Sequence, residues 1–196
     1  MIIYILLIII AYLLGSISGA LIVSKIMGLP DPRTQGSGNP GATNVLRYSG
    51  KTAALLTLLL DVLKAVIAIL MTKFITTEPT ILASAGLAVF LGHLYPIFFQ
   101  FRGGKGVATA FGAILILAWP VSLAALTTWL IMSLIFRYSS LSAITAAILT
   151  PSYMFWFTNS LEYTLMAFII TALLIWRHRS NIYNLLNGQE NKIGKT

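Results

Sequence analysis

The chain has 196 residues, of which 58% are hydrophobic and 9% are charged, and its mean hydropathy is +0.88. This balance excludes an ordinary soluble domain and predicts an integral membrane protein, because several apolar segments are long enough to cross a bilayer. The absence of cysteine excludes disulfides and thiolate metal sites. No separate polar block accompanies the apolar segments, so we expect a single membrane-embedded domain over residues 1–196.

The net charge of +8 is compatible with a nucleic acid, an anionic lipid or an anionic substrate as partner. The positive-inside bias of membrane proteins is the simpler explanation for most of these charges, and we expect no nucleic-acid partner. The five acidic residues are scattered and form no paired-carboxylate motif, so we expect neither a metal site nor a cofactor.

Seven apolar segments follow one another along the chain, and we expect them to form seven transmembrane helices of an all-α fold. They run over Ile2 to Val23, Ala53 to Met71, Thr80 to Phe99, Val107 to Leu117, Val121 to Phe136, Leu141 to Phe157 and Leu161 to Trp176. The first predicts a retained span and not a signal peptide, since no basic residue precedes it. The short fourth and seventh segments should extend into adjoining loops or thin the bilayer.

The fourth and fifth segments are either two helices that turn near Trp119 and Pro120 or one long kinked helix. The basic residues decide between these alternatives. With two helices, only Lys73 lies on one face of the membrane and Lys64 lies inside a span. The other face then carries Lys25, Arg33, Arg47, Lys51, Arg102, Lys105, Arg137, Arg177, Arg179, Lys192 and Lys195. The positive-inside rule therefore predicts seven spans, with the amino terminus outside and the carboxyl terminus in the cytoplasm.

Three polar segments interrupt the apolar chain at residues 36–44, 102–106 and 177–181, and all three share the predicted cytoplasmic face. In the first polar segment, Asn39 is a good helix N-cap, Pro40 suits the first helical position, and residues 42–48 can form a short helix. Backbone N–H groups at such a start bind anions, and an arginine adds a bidentate phosphate contact. The candidate ligands are Ser37, Gly38, Asn39, Gly41, Thr43, Asn44 and Arg47. The alternative is a glycine-rich turn with an ordinary cap.

The second polar segment reads Arg102-Gly103-Gly104-Lys105-Gly106. Its glycines allow the main chain to wrap an anion with amides, while Lys105 supplies a point charge. It is not a Walker A loop, because Gly106 stands where that motif needs Ser or Thr. A flexible loop with snorkelling basic residues is the alternative.

In the third polar segment, His178 and Asn181 are spaced three residues apart, so one helix face can present an imidazole and an amide together. An interfacial stop with flanking arginines is the alternative. We expect the helix through residues 182–187 to end at Gly188 and the tail after it to fray.

Two further features lie within the apolar segments. Asp61 and Lys64 are three residues apart inside a predicted span, and intramembrane charges are costly enough to be either functional or a paired structural tether. His93, close to Pro96, is expected to be a hydrogen-bonded residue at a helix end.

Together these motifs resemble those of the bacterial acyl-phosphate:glycerol-3-phosphate acyltransferases, the PlsY family, along the whole chain. The resemblance rests on residues 36–44, on residues 92–96 leading into residues 101–109, and on residues 177–182. It implies a seven-helix fold in the bacterial inner membrane with the active site facing the cytoplasm. It also implies acyl-phosphate and glycerol-3-phosphate as substrates, membrane lipids as surroundings and no use of acyl coenzyme A.

The sequence departs from the family pattern after Arg137 and Tyr138. The family often carries two serines three residues apart there, whereas Ser140 is followed by Ala143. Ser140 stays a candidate substrate-binding residue, with Ser142 as its alternative.

The chemistry of an acyl-phosphate suits these segments, because phosphate is a good leaving group and the donor arrives activated. What remains is to hold two phosphates, align the glycerol hydroxyl and stabilise the oxyanion. The catalytic candidates are Ser37, Lys105, His178 and Asn181.

His178 is either the base for the hydroxyl proton or a hydrogen-bonding partner while the substrate's own phosphate accepts that proton. We favour the second version, because Arg177 and Arg179 disfavour a charged imidazole. An organic-phosphate transporter or channel is the main rival function. It is disfavoured because its binding groups should lie near mid-membrane.

Overall fold

A computed structural model describes residues 1–194; Lys195, counted above among the basic residues of the cytoplasmic face, lies outside the described residues. All regular secondary structure in the described chain is helical, which confirms the predicted all-α class. The chain divides into two compact units, residues 1–116 and the residues from Leu117 onward.

The first unit contains five helices and a short 3-10 turn. They are α1 (Ile2–Gly15), α2 (Gly19–Ile26), α3 (Ala42–Ile75), α4 (Pro79–Leu94), the 3-10 turn Ile97–Phe99, and α5 (Val107–Leu117), which ends at the unit boundary. Helix α1 packs against α3 and α4, and α2 packs against α3. A methyl group at Gly15 would collide with the backbone of Val89, and one at Gly92 with the Tyr12 carbonyl. Glycine therefore allows α1 and α4 to approach closely, as small residues do between membrane helices.

The first predicted span is not one continuous helix, although its two parts together remain a candidate span. Helices α1 and α2 meet at an angle of 45°. The break falls at Ser16 to Ser18, and the Ser18 hydroxyl caps α2 by accepting a hydrogen bond from the Leu21 N–H at 3.4 Å. Small polar residues at the break supply bonding groups that a purely apolar sequence lacks.

Helix α3 begins later than the capping pattern predicts. Its N-cap is Gly41, not Asn39, and no side chain caps it. The Gly41 N–H donates to the Asn39 carbonyl at 2.9 Å, so a tight turn across Pro40 delays the helix. The predicted short helix over residues 42–48 does form. It is separated from the long part of α3 by Gly50, whose φ of 85° is a glycine conformation.

The second unit contains α6 (Trp119–Phe136), α7 (Ser139–Thr158), α8 (Leu161–Arg177) and α9 (Arg179–Leu186). Helix α7 packs against α6 and α8, and α9 contacts both α7 and α8. Pro120 lies in the first turn of α6, and the helix is interrupted at Ala118, so two helices form here and not one long helix. Gly188, with φ of 68°, follows α9 as predicted.

Within residues 1–194, four helical segments are long and apolar enough to cross a membrane, and the number rises to six if each of the bent pairs α1–α2 and α8–α9 is one span. Helix α5 has the predicted bounds, but it contains 11 residues and does not extend into the neighbouring loops. The exact count of seven spans therefore stays a prediction.

Candidate active site

The first polar segment is a loop organised by the buried side chain of Asn44. Its Nδ2 donates to the carbonyls of Pro32 at 2.9 Å and Gln35 at 3.0 Å, and its Oδ1 accepts from the Ser37 N–H at 3.1 Å. These contacts use both hydrogens and the oxygen of the amide. The observed role of Asn44 is thus to shape the loop beside the exposed Ser37, and its direct contact with a substrate stays a prediction.

The chain enters this loop through a turn closed by Asp31 and Arg33. The Arg33 guanidinium donates to both carboxylate oxygens, with Nη2 2.6 Å from Oδ2 and Nε 3.0 Å from Oδ1. This hydrogen bonding holds the pKa of the Asp31 carboxyl below its ordinary value of 3.8 and raises the pKa of Arg33. Because the carboxyl pKa is lowered on folding, the pair contributes above pH 3.8 and is lost only in stronger acid.

The second polar segment lies against His93. The Gly104 N–H donates to the His93 carbonyl at 3.1 Å. A methyl group at Gly104 would collide with His93 Nε2, and one at Gly103 with the His93 carbonyl. Gly106 has φ of 86° and packs against Phe90. The glycines are therefore required by packing, and a loosely held loop does not fit these contacts. The Gly104 amide also bonds within the chain, which limits the predicted wrapping of an anion.

A buried ion pair contacts the same histidine. Lys64 Nζ lies 2.9 Å from Asp61 Oδ1, 2.7 Å from the Ile17 carbonyl oxygen and 2.8 Å from His93 Nδ1. Asp61 Oδ1 also accepts from the Gly19 N–H at 3.3 Å. The ammonium thus meets a carbonyl at the α1–α2 break, and the carboxylate meets the amide start of α2, where each charge is favoured. Asp61 and Lys64 do form a pair, whether its role is functional or that of a structural tether. The predicted hydrogen bonding of His93 is confirmed.

The third polar segment contains the break between α8 and α9, which meet at 59°. His178 stands at this break, as the C-cap of α8 and the N-cap of α9, with 3% of its surface exposed. That His178 and Asn181 present their side chains together stays a prediction. Its Nδ1 lies 2.8 Å from the Leu174 carbonyl oxygen. A carbonyl only accepts, so Nδ1 carries a hydrogen and Nε2 is the basic nitrogen of the neutral ring.

Asn181 and Ser140 share one partner that the motifs did not indicate. Glu190 Oε1 accepts from Ser140 Oγ at 2.6 Å and from Asn181 Nδ2 at 2.7 Å. Ser142 instead donates to the Tyr138 carbonyl within its own helix at 2.8 Å. One sign of this contact is visible in the sequence: Glu190 is an isolated acidic residue two positions after Gly188, which follows α9.

The tail after Gly188 is held down, so the expectation that it frays is wrong for the described residues. The Ile193 N–H donates to the Arg137 carbonyl at 2.6 Å, and Arg137 Nη2 donates back to the Ile193 carbonyl at 3.2 Å. The Lys192 ammonium lies 5.5 Å from the centre of the Tyr138 ring. Residues 189–194 thus form a strap across the start of α7.

The predicted site residues therefore fall into local groups within each unit. In the first unit, Ser37 is joined to Asn44, and the second polar segment to His93. In the second unit, Ser140 and Asn181 are joined through Glu190. Within residues 1–194, no three His, Asp or Glu side chains cluster as metal ligands.

Comparison with known proteins identifies the family. A family model described as glycerol-3-phosphate acyltransferase matches residues 5–188. The chain belongs to this family. A glycerol-3-phosphate acyltransferase of Methylococcus capsulatus is 54% identical over 184 residues, covering 94% of this chain and 93% of the relative. That of Thioalkalivibrio sulfidiphilus is 57% identical over 185 residues, covering 94% and 91%.

Two solved structures of the glycerol-3-phosphate acyltransferase family share the fold. Both are crystal structures of PlsY (YgiH), an integral membrane glycerol 3-phosphate acyltransferase. Its glycerol 3-phosphate form matches with a TM-score of 0.92 and 44% identity, covering 97% of this chain and 96% of that one. Its lysophosphatidic acid form matches with 0.90 and 43%, covering 97% and 95%. The resemblance drawn from the motifs is confirmed. The prediction of a multi-pass membrane protein is confirmed as well, and the transporter alternative is not supported.

Proposed function

We propose that this chain transfers the acyl group of an acyl-phosphate to the 1-hydroxyl of glycerol-3-phosphate, releasing lysophosphatidic acid and phosphate. The observation that carries this proposal is the family match over residues 5–188. The chain is accordingly an enzyme of phospholipid biosynthesis, a glycerol-3-phosphate acyltransferase.

The absence of a His-Asp motif from the sequence supports acyl-phosphate as the donor. Neither His93 nor His178 is followed at the fifth position by Asp, as it is in the His-Asp motif of other glycerolipid acyltransferases. With an activated donor, the hydroxyl oxygen attacks the acyl carbon, the ester bond forms, and the bond from that carbon to the phosphate oxygen breaks. The hydroxyl proton leaves with the phosphate or passes to a side chain. Acyl coenzyme A takes no part.

The phosphate groups are held by the polar segments of the first unit. Lys105 and Arg47 are half-buried cations in or beside amide-rich loops, where a charge-assisted contact is strong. Arg102 and Thr43 add polar groups. Gly38, Asn39 and Gly41 shape the loop, because their N–H groups donate to the Gln35 carbonyl, the Ser37 hydroxyl and the Asn39 carbonyl. Asn44 and Gly104 act by fixing the shape of the two loops, as their observed contacts support.

The hydroxyl group is aligned by Ser37, His178 and Asn181. The Leu174 carbonyl fixes the His178 tautomer, so that Nε2 can accept a hydrogen bond from a hydroxyl. Glu190 holds the amide of Asn181 and the hydroxyl of Ser140, which supports positioning roles for both. The proton then goes to the substrate phosphate, with His178 as a hydrogen-bonding partner.

The location follows from charge and apolar length. The proposal places the chain in the bacterial inner membrane as one functional domain, with seven spans and the three polar segments facing the cytoplasm. The excess of basic residues on that face supports this orientation.

An assay of the purified protein tests the proposal directly. Acyl-phosphate with glycerol-3-phosphate should give lysophosphatidic acid and an equal amount of phosphate, and acyl coenzyme A should give neither. Product from acyl coenzyme A alone would refute the proposed donor. A lack of product from both donors would refute the activity itself.

A further inference from the structure

A buried ammonium group defines which edge of the His93 imidazole faces the second polar segment. The Lys64 and His93 side chains are 5% and 6% exposed, and Nζ lies 2.8 Å from Nδ1. A protonated lysine has three donors and no acceptor, so Nδ1 accepts this hydrogen bond. The hydrogen of the neutral ring is then on Nε2, the opposite nitrogen.

The Nε2 edge lies against Gly104, the residue before Lys105. The three atoms nearest to a methyl group built at Gly104 are Nε2, Cε1 and Cδ2 of this one ring. The His93 carbonyl also accepts the Gly104 N–H at 3.1 Å. The backbone and the ring of His93 therefore both set the position of the segment at Gly104.

The ion pair that holds the ring is itself fixed from the α1–α2 break, from the start of α2 and from α5. Its partners include the Ile17 carbonyl and the Gly19 N–H at the α1–α2 break, and Thr109 of α5 donates to the Asp61 carbonyl at 3.2 Å. The break, Lys64, His93 and the two adjacent glycines line one small crevice. A hydrophobic pair of similar volume can replace a buried ion pair without loss of stability. The ion pair differs from an apolar pair in one respect: the hydrogen bond from Lys64 fixes the orientation of the His93 ring, which an apolar contact does not do.

We propose that His93 is a positioning residue for the second polar segment, oriented by the Asp61–Lys64 pair. This inference rests on the proposed role of that segment in holding a substrate phosphate. The ion pair fixes the orientation of the imidazole ring, and the ring fixes the position of the Gly104 backbone. The Gly104 backbone in turn fixes the position of Lys105, the next residue.

A double-mutant cycle between Gly104→Ala and His93→Ala tests this chain of contacts. Gly104→Ala alone should lower kcat/KM roughly tenfold or more, because its methyl meets the ring. In the His93→Ala background the same change should cost less than about threefold, since the methyl enters vacated space. Gly103→Ala is the matched control. Its methyl meets the His93 and Leu94 carbonyls, which His93→Ala leaves in place, so its loss should be equal in both backgrounds.

The split between KM and kcat separates positioning from simple loss of fold. A displaced segment should raise the KM of one phosphate substrate by more than it lowers kcat, whereas partial unfolding lowers kcat through the fraction of active enzyme. His93→Gln, which returns an amide near the position of Nε2, should recover at least part of the KM loss of His93→Ala. Additive losses in the Gly104 cycle, or a loss confined to kcat, would overturn the proposal. Should His93→Ala fail to purify, His93→Asn keeps an acceptor near Lys64 and takes its place.

The role of the ion pair is tested by the double substitution Asp61→Leu with Lys64→Met, which removes both buried charges together. We expect it to fold and to raise the KM of the same substrate roughly fivefold. An unchanged KM would reduce the pair to a structural tether and overturn its part in the proposal. If the double variant does not fold, the Gly104 cycle decides.

Lys105→Ala distinguishes failure of this inference from failure of the proposed function. If Lys105→Ala retains kcat/KM, the phosphate role of the segment is wrong. If Lys105→Ala is impaired while the Gly104 cycle is additive, the inference about His93 alone is wrong.

Discussion

At the residue scale, the polar groups that shape the loops differ from those expected to meet substrate. Asn44 uses its whole amide on neighbouring backbone groups, and Gly104 donates its amide to His93. Lys105 and Arg47 are instead half-buried cations, and charge-assisted hydrogen bonds to a phosphate are roughly twice as strong as neutral ones. The free energy of phosphate binding should therefore come mainly from these two cations.

Lys105→Ala and Arg47→Ala should each lose about 2 kcal/mol or more of transition-state stabilisation, as expected for charge-assisted contacts in a partly desolvated site. The measurement is kcat/KM with acyl-phosphate and glycerol-3-phosphate. Lys51→Ala is the matched control, because Lys51 is an exposed lysine near Arg47 on α3 and should be neutral. Unchanged kcat/KM in both test variants would remove these residues from the phosphate site.

The His178→Asn variant separates the two fates of the hydroxyl proton. Asn can still donate to the Leu174 carbonyl but has no basic nitrogen near neutral pH, so the fold at the break should persist. If the substrate phosphate accepts the proton, much of the activity remains and both limbs of the pH profile stay. A loss of roughly a hundredfold together with one limb would assign the base role to the imidazole.

At the element scale, the helix breaks mark where sequence patterns were insufficient. Composition predicted the apolar helices well, since hydrophobic length is visible in sequence, and Pro120 marked the start of α6. The α1–α2 break carries no proline, and its groups are satisfied by Asp61 and Lys64 from a distant helix. Likewise Glu190 reaches Ser140 fifty positions away along the chain. Such long-range pairings depend on packing, which periodicity does not encode.

The strap over residues 189–194 gives an element-scale prediction. Glu190→Ala removes the acceptor shared by Ser140 and Asn181, so both side chains lose a hydrogen bond to a charged group. We expect kcat/KM to fall roughly tenfold or more, with a lower melting temperature. Gln189→Ala serves as the control, because the Gln189 side chain is exposed and alanine keeps the backbone N–H that donates to the Asn184 carbonyl. Equal behaviour of the two variants would show that the shared acceptor is dispensable.

At the scale of the whole molecule, the side on which the third polar segment lies depends on whether α5 crosses the membrane. In the part of the chain that the structure describes, the four long segments and two bent pairs give six spans if each pair crosses once, an even number, and α5 makes the number odd. An 11-residue helix is about 17 Å long against a hydrocarbon core of about 30 Å. Crossing with so short a helix requires local thinning of the bilayer or polar chain close to the acyl boundary. The charge distribution favours crossing, because six spans would move Arg177 and Arg179 to the outside.

Cysteine labelling of intact cells and inside-out vesicles decides this topology, since the chain has no cysteine of its own. Single cysteines at the exposed positions Ser37, Arg102 and Ser180 should react with an impermeant reagent only in inside-out vesicles. Gly104 is unsuitable because a side chain there collides with His93. A cysteine at exposed Thr77, between α3 and α4, is the control and should react only in intact cells. Labelling at position 180 from outside, with position 37 still protected, would mean that α5 does not cross. The third polar segment would then face away from the first two, and no single cytoplasmic site could contain His178 and Lys105.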